Sequence, residues 1–199
     1  QAQVYEKDLT TGAETRITFQ NGDVSHRAYS PKEDFILYSS STDELKENPP
    51  LLKGVAAASP LPLTYQEPTE LYLHSLNGLE ITRLTSTPGF DGEARFSNDG
   101  KNITWTRARN NKLETLQLHR SSHAIKPIGK LGANSSAYAT SPDGQWQAWL
   151  EWDSAFGVSK LRLQKGKAEP LEVTPDAVVP KVDLEFSPDS KWLFWAQFN

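Results

Sequence analysis

An all-β protein, a β-propeller of four-stranded antiparallel blades, is what this chain of 199 residues predicts. Three observations lead there. One turn occurs four times, as Ser30-Pro31, Ser97-Asn98-Asp99-Gly100, Ser141-Pro142-Asp143-Gly144 and Ser187-Pro188-Asp189-Ser190. Large apolar residues recur around it: Tyr38, Trp105, Trp149 and Trp195 each lie eight residues after their serine. Tyr29, Phe96 and Phe186 precede the serine directly, with Thr140 the exception. Alternating runs such as Ile103-Thr104-Trp105-Thr106 fit pleated strands, and no amphipathic helix of about twelve residues or more is visible.

The repeat sets the order of the elements. Its serines are 67, 44 and 46 residues apart. The first interval is long by about 23, which a Pro-rich insertion at 43–68 accounts for, so the underlying period is about 45, that of a four-stranded blade. Strand A runs into the Ser-Pro-Asp-Gly turn and strand B leaves it. Pro presets φ there, Asp bonds local backbone and Gly accepts φ > 0. A second unit supplies strands C and D. Val4 to Leu9 matches Leu71 to Leu76, and Thr15-Arg16-Ile17-Thr18 matches Thr82-Arg83-Leu84-Thr85, with weaker copies at Leu116 to Leu118 and Leu161 to Leu163. The chain therefore reads as one propeller domain over 1–199: a C–D half blade at 3–20, three blades over about 24–174, and an A–B half blade at 181–198. That is sixteen strands, four blades' worth.

Joining the half blades would close a four-bladed ring, with Val4 to Leu9 pairing with Trp192 to Phe198 and no edge left open. Tyr38, Trp105, Trp149 and Trp195, being periodic, are expected between blades. Trp152 is off register and is expected to be freer of the core.

Composition narrows the function. With 21 basic and 25 acidic residues the net charge is -4, which gives no basic footprint for nucleic acid. No apolar run approaches the roughly 18 residues of a membrane span. Cysteine is absent, so no disulfide framework or thiolate metal site is available. Methionine is absent too, and the chain begins Gln1-Ala2-Gln3. Removal of a leader from an exported protein would leave that trace, as would proteolysis. No Gly-x-Ser-x-Gly elbow, His-Glu-x-x-His helix or phosphate-binding loop occurs, which argues against an enzyme.

Topology then points to a face. In up-and-down blades the A–B and C–D turns share one face, the B–C and D–A loops share the other, and strand A lines the channel. The starts of the A strands thus ring one channel mouth. Four residues before each repeat serine stand His26, Glu93, Ala137 and Asp183. His26, Glu93 and Asp183 carry nitrogen and oxygen donors suited to a cation or a polar ligand group; solvated polar residues at a wet mouth are the plainer reading. Asp23, Asp91, Asn134 and Ser136 are polar neighbours. The insertion is a B–C loop on the same face, and a loop of that length is usually functional or disordered. Leu51, Leu52, Val55 and Tyr65 are its candidate partner-docking residues. His119 and His123 lie in a strand-and-turn pattern, not on one helix face, and are expected to be exposed.

The run Glu70 to Thr85, followed by Pro88 to Gly100, resembles the β-propeller repeats of the TolB family, and the resemblance covers nearly the whole chain outside 43–68. It implies a non-enzymatic scaffold in the bacterial cell envelope, periplasmic or secreted, with a protein partner such as an envelope protein or lipoprotein. Related blades also occur in the gating propellers of prolyl-oligopeptidase-like hydrolases, so an accessory propeller is the alternative. A propeller holding a metal or small ligand at its channel mouth is another. No cofactor is implied beyond such a channel cation. TolB-like propellers have six blades and an added α/β domain. Four blades' worth here means a closed four-bladed ring or part of a six-bladed one.

Overall fold

The computed structural model describes residues 1–32, 34–43, 61–78, 80–129, 131–173 and 181–197. Within them sixteen strands form five antiparallel sheets in chain order. Strands β1 (Tyr5–Lys7) and β2 (Glu14–Arg16) make a two-stranded sheet. Three four-stranded sheets follow. The first is β3 (Val24–Tyr29), β4 (Phe35–Ser40), β5 (Glu70–Ser75) and β6 (Ile81–Arg83). The second is β7 (Phe90–Phe96), β8 (Asn102–Arg109), β9 (Lys112–His119) and β10 (Ile125–Pro127). The third is β11 (Ser135–Thr140), β12 (Trp146–Trp152), β13 (Ser159–Lys165) and β14 (Leu171–Glu172). A last pair, β15 (Lys181–Phe186) and β16 (Leu193–Gln197), ends the described chain. Each four-stranded sheet meanders A-B-C-D as the repeat predicts, and the two-stranded sheets are the C-D and A-B halves.

Side chains explain why the repeated residues sit where they do. In the tetrad turns Ser97 Oγ donates to Asp99 Oδ1 (2.7 Å) and Ser187 Oγ to Asp189 Oδ1 (2.6 Å), with Ser141 and Asp143 paired likewise. Each serine oxygen also accepts from the N–H that opens strand B: Asn102, Trp146 and Trp192. The fourth tetrad residue is left-handed in all three: Gly100 (φ 68°), Gly144 (φ 72°) and Ser190 (φ 60°). In the D strands, Thr18 Oγ1 accepts from Val4 N and Thr85 Oγ1 from Leu71 N, both at 2.9 Å. Arg16 Nε and Arg83 Nε donate to the Thr18 and Thr85 carbonyls. The Thr-Arg-x-Thr signature thus ends a short outer strand by replacing ladder partners with side chains.

The core lies between sheets. Tyr38 is fully buried and stacks on Tyr72, with centroids 5.6 Å apart. Trp105 is 2% exposed and Trp149 1%. Trp195 departs from the expectation and is only partly buried, because among the described residues its sheet has two strands and no C strand covers it. Trp152 departs in the other direction. It is 5% exposed, and its indole N–H donates to Ser136 Oγ at 2.9 Å.

Among the described residues the four-bladed ring does not close. Among the described residues β1 pairs only with β2, and β16 only with β15. Val4 instead packs with Val24, Ile36 and Tyr38 of the first complete blade. Successive blades pack through their A strands, β3 beside β7 and β11 beside β15, and among the described residues no pairing joins β1 to β16. Phe198 lies outside the described residues.

Candidate functional site at the channel mouth

The A strands β3, β7, β11 and β15 line a cavity of about 550 Å³. All four carry a β-bulge at the same place. The ladder gains one residue on the A strand between Ser25 and Ala28, Gly92 and Arg95, Ser136 and Ala139, and Val182 and Glu185. The first residue inside each bulge is left-handed: His26 (φ 47°), Glu93 (φ 53°), Ala137 (φ 52°) and Asp183 (φ 57°). Such a φ costs a residue with a Cβ on the order of 1–2 kcal/mol. Four equivalent outliers in one channel mark a position where the bulge turns a side chain out of the ladder, as bulges near binding sites do.

His26, Glu93 and Asp183 therefore all line the same cavity, with Ala137 at the fourth position. Their environments differ. Asp183 is exposed. The His26 ring stands edge-on to Phe90 at 5.8 Å, and its Nδ1 lies 3.1 Å from both Ser25 Oγ and Ser39 Oγ. Glu93 is turned into the junction of the second and third complete blades. Its Oε2 accepts from Thr106 Oγ1 (2.6 Å) and Ala137 N (3.1 Å), and its Oε1 lies 3.1 Å from Tyr65 Oη.

Tyr65 comes from the described end of the insertion, in the short 3-10 turn Leu63–Tyr65. It is 2% exposed and packs edge-on against Phe90 and Trp152. Its hydroxyl also lies 3.0 Å from Ser136 Oγ. A carboxylate only accepts, so the phenolic proton goes to Glu93 while Ser136 donates to the phenol oxygen and accepts from Trp152. Burial, and then the Glu93 charge, hold the phenol far above its ordinary pKa, so this donor keeps its proton. Tyr65 thus fastens the described end of the insertion at the second and third complete blades and is itself buried. Leu51, Leu52 and Val55 lie outside the described residues.

Asp91 is not a solvated mouth residue. It is fully buried, accepting from Trp105 Nε1 and Arg107 Nε (both 2.8 Å) and Arg109 Nη2 (3.0 Å). Burial pushes its carboxyl upward, opposed chiefly by Arg107. Among the described residues no group of three His, Asp or Glu side chains could hold a metal ion. His26, Glu93 and Asp183 share a cavity, not a coordination sphere.

Sequence reasoning missed the cations of this cavity, Arg27 and Arg95, and the further acid Glu185. Arg95 also reaches across the channel to donate to the Leu184 carbonyl. The signal was alternation: Arg95 and Glu185 each stand two residues after a bulge residue.

No protein-family model matches the chain, and no curated protein matches it in sequence. Solved structures match it in shape. TolB from Acinetobacter baumannii superposes with a TM-score of 0.66 at 21% identity, over 96% of this chain and 42% of that one. A putative TolB from Agrobacterium tumefaciens gives 0.72 at 13% identity, over 100% and 64%. An oligogalacturonate lyase in complex with manganese gives 0.60 at 14% identity, over 96% and 49%. The chain thus has a TolB-like propeller fold and spans less than two thirds of either TolB chain. Among the described residues no helix is long and apolar enough to cross a membrane.

Proposed function

We propose that this chain is a non-enzymatic propeller scaffold of the bacterial cell envelope, periplasmic or secreted, that docks a protein partner on its channel-mouth face. One observation carries the reading: four successive A strands turn their bulge positions into one cavity, where exposed Asp183 and Glu185 are negative and exposed Arg27 is positive. Exposed charges of both signs on a rigid frame suit recognition of a polypeptide more than a buried chemical step. The TolB-like fold supports the envelope setting, and the partner class it suggests is an envelope protein or lipoprotein.

The test is photo-crosslinking in the periplasm from two faces. A crosslinking residue at Asp183 or Arg27 should trap a discrete envelope protein, and one at Asp143, on the tetrad-turn face, should not. Trapping from Asp143 alone would overturn the assignment. The manganese-bound lyase of similar fold motivates one control. Manganese up to millimolar concentration should leave the trapping unchanged; manganese-dependent trapping lost in Asp183→Ala would favour a metal at the mouth.

A further inference from the structure

We propose that a second site, on the tetrad-turn face between the first two complete blades, binds a free carboxylate bearing a short aliphatic tail, with Arg120 as its anion-binding group. Two cavities meet there, of about 400 and 280 Å³, and both are lined by Arg120 and Ser121. The smaller is largely apolar, walled by Leu73, Leu84, Ile103 and Leu118, with Arg120 as its cationic group, His123 beside it and no acid in its lining. The larger adds Lys32 and Lys101. Its two acids are engaged in their own turns: Asp34 accepts from Ser30 Oγ, and Asp99 from Ser97 Oγ and Lys101 N.

The repeat shows why the cleft is open and charged. Leu76 N, Arg120 N and Gly166 N donate to the Asp34, Lys101 and Gln145 carbonyls, so the three residues occupy one repeat position. At the preceding interface Leu76 packs against the Val4 and Tyr38 cluster. In the next blade the same slot holds an arginine. Its guanidinium lies over Phe35 at 4.7 Å and Phe96 at 5.5 Å, and it donates to the Gly100 carbonyl at 2.9 Å. Two rings and one carbonyl fix its plane. Among the described residues no salt bridge to a carboxylate is formed by it. A planar, pre-oriented guanidinium beside an apolar pocket is complementary to a carboxylate with an aliphatic tail.

The probe is octanoate on the full chain, followed by calorimetry and by the NMR signal of the Arg120 Nε–H. Octanoate should bind and shift that signal, with 1-octanol about tenfold weaker or worse. Arg120→Leu should fold, since Leu76 fills the equivalent place, and should lose about tenfold or more in octanoate affinity. Arg120→Lys, which keeps the charge but not the fork, should fall between and serves if the leucine variant fails to fold. An acetylated tripeptide ending in leucine presents the same chemistry. If it binds more tightly than octanoate while its C-terminal amide does not, the source is a peptide terminus; if octanoate is tighter, it is a fatty acid. Equal affinity for octanol and octanoate would overturn the proposal. So would unchanged octanoate binding in both Arg120 variants, or no shift with either carboxylate at millimolar concentration.

Discussion

Trp149 and Trp195 hold the same place in two copies of one repeat, eight residues after Ser141 and Ser187, yet only one is sealed. Trp149 is 1% exposed in a four-stranded sheet, pairing with Arg162 across the ladder. Trp195 is partly open in a two-stranded one, and nearby Trp192 and Phe194 are 67% and 59% exposed. The local sequence is equally strand-like in both. What differs is whether a C strand and a following blade lie over the ring. Burial in this fold belongs to the neighbour, not to the residue.

Four measurements test that contrast between centre and ends. The largest effect is expected for Trp149→Ala, at about 3–5 kcal/mol in denaturant unfolding. Trp195→Ala should cost under about 1 kcal/mol, as a partly exposed side chain does. Equal costs would mean that something covers Trp195 in solution. Next comes Tyr65→Phe. It leaves a buried serine and a carboxylate oxygen short of a partner, for about 1–3 kcal/mol, whereas Tyr5→Phe, at a residue 56% exposed, should be silent in the same assay.

Smaller again is the pair of turn variants. Gly144→Ala places a Cβ at φ 72° and should cost about 1 kcal/mol. Ser190→Ala starts from a residue already at φ 60° and loses only an exposed bond from Asp143 N, about 0.5 kcal/mol. Thermal melts that rank these two the other way would show that the last turn is the strained one. The smallest effect is on acid titration. Asp99, Asp143 and Asp189 are each held below the ordinary carboxylate pKa, first by their serine hydroxyl and then by a backbone N–H. A depressed folded pKa stabilises the fold above the ordinary value, and that contribution is lost as pH falls through the folded one. Carboxylate NMR titration should show Asp143 moving up in Ser141→Ala while Asp99 and Asp189 stay put.

The strands and their order were legible because the repeat copies both the turn chemistry and the alternation. Ser97, Ser141 and Ser187 stand where their hydroxyls must, one tying Asp to the next strand each time. The equivalence of His26, Glu93, Ala137 and Asp183 was legible from spacing. Their left-handed backbone was not, since none is Gly or Asn and only Asp and His among them tolerate that region readily. The fates of Glu93 and Trp152 were hidden as well. Both depend on Tyr65, which arrives from 28 residues earlier in sequence than Glu93.

By itself the sequence determined the blade, its turns and the face on which the A strands begin, because those follow from a two-residue alternation and from local hydrogen bonds within a few residues of each serine. The tertiary structure decided the rest: that the half blades stay apart, that Tyr65 spends Glu93 inside the fold, that Asp91 is buried under two arginines, and that Arg120 faces a cleft where Leu76 meets a packed core. Asp91 is held from the next strand of its own sheet, by Trp105, Arg107 and Arg109, whereas Glu93 meets Tyr65 and Ala137, and Arg120 meets Phe35, across a blade boundary; neither kind of partner follows from the residues next to it in sequence.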